Sequence, residues 1–547
     1  MTQRNFLRVT ISVVFLTALP ACLDPISGTE LPIADSVSNP LFAVVQPPTK
    51  KAAKSERSDR KSTPSNKKTP TKKSKAATRR DEGQIPAFTA VSTLIRRTVE
   101  FGPTLVVWFF DRTESAMPVT TAVGKDIETL YEQLADEGLL TTEKEGDPPW
   151  LLSAVATFGK DTEFAVETPT GDIAEVTAGL ARIVPDESGH EVPFAAITSA
   201  LDKYLPYRLK DRREVLFIVI TNEAREDGQL VDALLPVLDK STIPVYTIGA
   251  PAPFGKAAAL SQFTEGPTDF DSRGDVLRVR HGPESRYPEV VEFGFLGQNF
   301  FVEVFDSGFG PFAWERLCRG SGGKFLMLAA PKVDPRLRAE INQRWPSPEI
   351  IRFAAPIRYS PDYVSEARYQ QLLSQNKARA AVHMAAKFKS LDAPFAPRLM
   401  FEKRSEAELN QILTQAQQAA AKLGPIVEEL YQTLQEGETD RARLTSMRWQ
   451  AAYDLAMGRA CAAKANIDGY NAMLAELKRK GDFKHLGSRQ WILTPANTLE
   501  AGSALQKLVD RAQMYLNRII KEHPGTPWAY LANRELATPI GWKWTEE

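Results

Sequence analysis

From 104 to 110 the chain is apolar at every position after Thr104, and β-branched and aromatic side chains dominate. An unbroken run of this kind predicts a strand buried on both faces of a parallel sheet, since strict alternation is expected only where one face meets water. The run stops at Asp111-Arg112-Thr113-Glu114-Ser115, after which Ile127, Leu130, Tyr131 and Leu134 recur at spacings of three and four and predict a helix. Further strands are predicted at 150–158, 163–167, 215–220 and 243–248, with helical stretches near 172–183, 192–205 and 228–239. The second fully apolar run, 215–220, also ends in a polar loop, Thr221-Asn222-Glu223-Ala224-Arg225-Glu226-Asp227. Strands alternating with helices of this length predict βαβ units and a doubly wound, mostly parallel α/β sheet.

After Pro356 the period changes. Residues 362–390 and 405–436 read as helix, with Gly424 and Pro425 breaking the second stretch. Residues 440–479 read as two antiparallel helices, and 498–522 carries an apolar stripe of Leu505, Leu508, Ala512, Tyr515, Leu516 and Ile519. A turn at His523-Pro524-Gly525-Thr526 leads into a last short helix, so 356–547 is expected to be an all-α region. The stretch 512–536 resembles one tetratricopeptide-type unit, and 445–478 fits as a second. Helical hairpins of this sort offer a concave surface to other proteins, the alternative being a bundle that packs on itself. Trp528, Trp542 and Trp544 are expected to anchor the C-terminus in that core.

The N-terminal end has a different composition. Arg4 and Arg8 precede a short apolar run and then Leu19-Pro20-Ala21-Cys22, the pattern of a secretory signal peptide over 1–22. The same four residues resemble the bacterial lipoprotein cleavage box, with Pro20 as a departure, and the resemblance implies lipidation at Cys22. Residues 23–85 read as a basic, disordered linker: 46–83 has no aromatic residue, and 50–80 holds 13 Lys and Arg against Glu56 and Asp59. The formal charge of the whole chain is zero, so this basic tether is balanced by an acidic body. An anionic envelope surface is its expected partner; nucleic acid is not, because no aromatic side chains are interleaved to stack bases. A length of 547 residues exceeds what one core serves. The division expected is an α/β domain at 90–335, enlarged at about 251–310, and the helical region at 356–547.

With these elements in order, the chain resembles a bacterial, exported von Willebrand factor A domain protein. The resemblance is carried by Asp111-x-Thr113-x-Ser115 after the first buried strand and by the 221–227 loop after the fourth. The later Gly310-Pro311-Phe312-Ala313 and Ser321-Gly322-Gly323-Lys324-Phe325 are similar to the final helix-to-strand step of that family. The family's metal-ion-dependent adhesion site holds a Mg²⁺-like cation with hydroxyl and carboxylate oxygens from three loops, leaving one position for a partner's carboxylate. Hard cations take such oxygen donors. The resemblance implies a site for Mg²⁺ or another divalent cation formed by Asp111, Thr113, Ser115, Ser188 and Asn222. Asn222 stands where the family has an Asp, and the second loop offers Ser188 or Glu191 where the family has a Thr, so the site is degenerate. Glu223, Glu226 or Asp227 could return the missing charge. The competing reading of Asp111, Thr113 and Ser115 is that they cap the loop and the helix that follows.

No catalytic set is legible. None of the five histidines lies in a zinc-protease motif, there is no Gly-x-Ser-x-Gly elbow, and Gly320-Ser321-Gly322-Gly323-Lys324 precedes a strand and reads as a turn, not a phosphate loop. The expectation is a non-catalytic protein of the periplasm or cell envelope, membrane-anchored if Cys22 is lipidated, that binds another protein through its A-like domain or its helical region. The alternatives are a metal-free envelope scaffold, or an enzyme subunit with its chemistry in 251–310, where Asp269, Asp271, Arg273, Asp275, Arg278, Arg280 and Glu284 concentrate charge.

Overall fold

The computed structural model describes residues 86–140, 149–188, 190–221, 228–255, 259–260, 278–279, 283–291, 305–328, 351–352, 357–388, 397–496 and 503–547. The expected signal peptide with Cys22, the 23–85 linker, and Asp269, Asp271, Arg273, Asp275 and Arg280 of the excursion lie outside the described residues.

Strand β1 (Thr104–Asp111) lies inside a six-stranded sheet, flanked in parallel by β2 (Leu151–Phe158) on one side and β4 (Glu214–Thr221) on the other. Beyond β2 the edge strand β3 (Thr162–Thr170) runs antiparallel. Beyond β4, strands β5 (Val245–Gly249) and β6 (Phe325–Met327) continue in parallel and complete the order 3-2-1-4-5-6. The unbroken apolar runs now have a cause. Successive side chains point to opposite faces, and both faces are covered.

Val106, Trp108 and Phe110 face helices α1 (Pro86–Phe101), α2 (Met117–Asp136) and α3 (Ile173–Ala181). Leu105, Val107 and Phe109 face α4 (Pro193–Leu209), α5 (Val231–Ser241) and α6 (Phe312–Gly320). Helix α1 is an element that the sequence reading did not include. It buries Phe88, Val91, Ile95 and Val99, and Phe88 stacks on Trp108 with ring centroids 6.1 Å apart.

The C-terminal region is helical as expected, with one small sheet added. Helices α7 (Glu366–Ser374), α8 (Lys377–Ala385), α9 (Glu406–Ala421) and α10 (Gly424–Gln435) surround α11 (Met447–Lys480). Gly424 and Pro425 do separate α9 from α10. The hairpin of α12 (Ser503–Glu522) and α13 (Pro527–Ala537) follows, with the Thr526 side chain capping α13 at the Ala529 N–H. Strands β7 (Met400–Glu402), β8 (Gln490–Pro495) and β9 (Trp542–Glu546) form an antiparallel sheet in that order. Trp542 and Trp544 are indeed anchors: their indole N–H groups donate to the Asn466 and Met473 carbonyls of α11 at 2.9 and 3.3 Å.

The two antiparallel helices expected over 440–479, and with them a second hairpin unit at 445–478, are replaced by α11, one helix of 34 residues and about 51 Å at 1.5 Å per residue. Its glycines are contact points and not breaks. A Cβ on Gly458 would meet Leu516 Cδ2 at 2.7 Å, and one on Gly469 would meet Trp542 at 3.2 Å. The helix ends only at Gly481, in the left-handed conformation at φ 50°. Among the described residues no helix is long and apolar enough to cross a membrane.

The described parts of the 251–310 excursion fasten the sheet domain to these helices. Ala259–Leu260 pairs antiparallel with Arg278–Val279, and Phe254 packs edge-on against Trp528 at 4.7 Å. Glu284 and Glu289, both buried, bind the buried Arg448 of α11: Nη2 donates to Glu284 Oε1 at 2.8 Å and Nε to Glu289 Oε2 at 2.5 Å. Both Glu284 oxygens also receive the Gly255 N–H, at 3.2 and 3.1 Å.

Candidate functional site

At the carboxyl end of the sheet the strand parity decides which groups meet. Asp111 continues the face of Leu105, Val107 and Phe109, and Thr221 continues that of Val215, Phe217 and Val219, which is the same face. β1 and β4 are parallel and pair Phe110 with Ile220, so Asp111 and Thr221 come level one step later. Thr221 Oγ1 donates to Asp111 Oδ2 at 2.7 Å. Asp111 Oδ1 accepts both the Thr113 N–H and the Thr113 hydroxyl at 2.8 Å. The carboxylate is fully buried at the rim where doubly wound sheets gather ligands.

The bond from Asp111 to the Thr113 N–H orders the loop as an Asx turn. The competing capping reading is therefore met for the loop. At the helix, Thr113, N-cap of the short turn Glu114–Ala116, and Ala116, N-cap of α2, make no side-chain capping bond. Ser115 lies within that turn.

The second loop is placed by Arg112 and Asp186. The Asp186 N–H donates to the Arg112 carbonyl at 2.8 Å, and Asp186 accepts the N–H groups of Lys160 at 2.6 Å and Ser188 at 2.9 Å. These amide bonds, with Arg112 nearby, hold the Asp186 carboxyl down at about 2. Arg112, itself buried, donates from Nη1 to Glu163 Oε1 at 2.7 Å and sits 3.7 Å from Asp186 Oδ2. Ser188 is exposed, and its hydroxyl accepts the His190 N–H at 3.2 Å within its own loop. The buried acid of this loop is Glu191, 1% exposed. Asn222, Glu223, Glu226 and Asp227 lie outside the described residues.

The structure thus joins Asp111, Thr113 and Thr221 in one hydrogen-bonded group, with Ser115 on the next turn. Thr221 was not among the sequence candidates, because a Thr closing an apolar run reads as the end of a strand; the parity count from Val215 could have found it. Arg112 was passed over because it fills a variable position of the Asp-x-Thr-x-Ser pattern.

The donors of this group are oxygens, the kind a hard cation takes, and one carboxylate lies at its centre. Among the described residues no group of three or more His, Cys, Asp or Glu is arranged to hold a metal ion. Burial pushes the Cys318 thiol up to about 12 and the Cys461 thiol up to about 11, which leaves both protonated at neutral pH.

No protein-family profile matches the chain, and no curated protein matches it. Solved structures similar to it include the conserved hypothetical protein BatB from Bacteroides thetaiotaomicron, at 16% identity and a TM-score of 0.28, covering 44% of this chain and 96% of that one. The SpRpn10 VWA domain is similar at 12% identity and a TM-score of 0.21, covering 27% of this chain and 75% of that one. Proximal thread matrix protein 1 from the mussel byssus, solved with a zinc-occupied MIDAS motif, is similar at 15% identity and a TM-score of 0.20, covering 30% and 42%.

Proposed function

We propose that the chain is an exported, non-catalytic binding protein of the cell envelope whose A-like domain docks another protein at the carboxyl-end rim of its sheet. The observation that carries this reading is the group of Asp111, Thr113 and Thr221, brought together at the tips of two inner strands. Export is supported by the positively charged and apolar residues before Cys22. A divalent cation would be held there by Asp111, Thr113 and Ser115, with Ser188 and Asn222 as the further donors the family resemblance implies. When bound, it supplies a Lewis-acidic position for a partner's carboxylate. The chain's own residues keep that position oriented: Thr113 and Thr221 fix both oxygens of Asp111, and burial of the carboxylate excludes water from them.

The test is chemical cross-linking of the full chain in its host, comparing wild type with Asp111→Ala. Partner recovery should fall about tenfold, equivalent to about 1.4 kcal/mol, because the buried group that orders the rim is gone. Identical recovery from both proteins removes the rim from the account.

A further inference from the structure

Three loops meet beside Asp111, and Arg112 links them through its main chain and its side chain together. Arg112 follows Asp111 directly. Its N–H donates to the Phe158 carbonyl at 3.0 Å and its carbonyl accepts from Asp186 at 2.8 Å, so its main chain already lies between the β2–β3 turn and the second loop. Its side chain then turns the same way, to Glu163 at the start of β3 and to Asp186. Asp186 carries the tie onward through the Lys160 and Ser188 amides, and the Val192 N–H closes it on the Gly159 carbonyl at 3.1 Å.

The turn is shaped to admit this arrangement. A Cβ at Gly159 would stand 2.2 Å from Asp186 Oδ2, so only glycine leaves room for the carboxylate there. Arg112 is 8% exposed, and its planar fork hydrogen-bonds Glu163 while a second nitrogen lies 3.7 Å from Asp186, a spread of charge that a lysine ammonium does not reproduce.

We infer that Arg112 is a positioning residue that organises the rim through an internal cation, so that the second loop, Glu191 included, is held in place whether or not a divalent ion is bound. The guanidinium makes the shape of the face constitutive: the loops stand ready at the rim before a cation or a partner arrives. This inference rests on the rim reading for its functional consequence, while the loop organisation is tested independently of any partner.

The experiment is amide hydrogen exchange on the purified full chain, read at Lys160, Ser188 and Val192, with Val107 and Phe217 as references inside the sheet. In the wild type, millimolar EDTA and millimolar Mg²⁺ should give the same rates. Arg112→Ala should speed the three rim amides by about tenfold or more while leaving the two references unchanged. Arg112→Lys should recover only part of the protection. A cycle with Asp186→Asn separates a specific tie from loss of bulk: the double variant should exchange no faster than Asp186→Asn alone. Unchanged rim rates in Arg112→Ala, additive effects in the cycle, or a wild-type rim loosened by EDTA as much as by Arg112→Ala would each overturn the inference. Failure to recover a partner in cross-linking bears only on the proposed function.

Discussion

Arg448→Ala is expected to lower the unfolding free energy by about 3–5 kcal/mol at pH 7, the cost of leaving buried acids without their counter-charge. Glu284 and Glu289 are 0% and 2% exposed, and no water can replace the guanidinium without opening the contact between the excursion and α11. Burial already pushes the Glu289 carboxyl upward even with Arg448 in place. Once the arginine is gone, Glu289 loses the charge that opposes this, and it should hold its proton in the folded state at higher pH than in the unfolded chain. A carboxyl whose folded value is raised costs nothing below its unfolded value of about 4.3 and costs progressively more as pH rises above it. The deficit should therefore be smaller at pH 5 than at pH 7. Replacing all three together, Arg448→Met with Glu284→Gln and Glu289→Gln, should recover most of the loss, since no charge is then left buried. Urea unfolding of the three proteins, wild type included, at both pH values measures this. A loss under about 1 kcal/mol for Arg448→Ala, the size expected of an exposed pair, would mean that the triad is solvated.

Gly323→Ala is the second large effect. The turn Gly320-Ser321-Gly322-Gly323 delivers the chain from α6 into β6, and a Cβ at Gly323 would stand 1.9 Å from the Val245 carbonyl oxygen and 2.6 Å from its carbon. The obstacle is backbone of β5 and cannot rotate away, so β6 must separate from β5 or the turn must move. The expected loss is about 3 kcal/mol, at the upper end for forcing atoms into a filled space. Gly322 is the internal control. Its φ of 84° strains any other residue, yet a Cβ there meets nothing within 4 Å, so Gly322→Ala should cost only about 1 kcal/mol. Thermal melts of the two variants give the comparison, and equal losses would contradict the backbone clash.

The sheet was legible where burial on two faces leaves no alternation, as in β1 and β4, and the polar stretches after those strands marked the rim. Helix α1 was equally open to reading, since Phe88, Val91, Ile95 and Val99 have the spacing of a buried stripe. Helix α11 was misread for a physical reason. Glycine in a helix costs stability when exposed, but Gly458 and Gly469 lie under Leu516 and Trp542, and tertiary contact outweighs propensity there.

At the site, Asp111 and Thr113 could be named from one short motif. Thr221 required knowing which strand lies beside β1. The partners of Arg448 stand 159 and 164 residues away, and no local pattern connects them. Glu284, one of the charges concentrated in the excursion, is an ion-pair partner inside the core.

The central claim is that the carboxyl-end rim is the surface that meets a partner. The direct measurement places a photoactivated cross-linking residue either at exposed Glu187 on the second loop or at Leu209, 64% exposed where α4 ends at the opposite edge of the sheet. The account predicts one discrete cross-linked product from position 187, lost when Asp111→Ala is added, and none from position 209. Equal products from both positions, or a product from 209 alone, would contradict it.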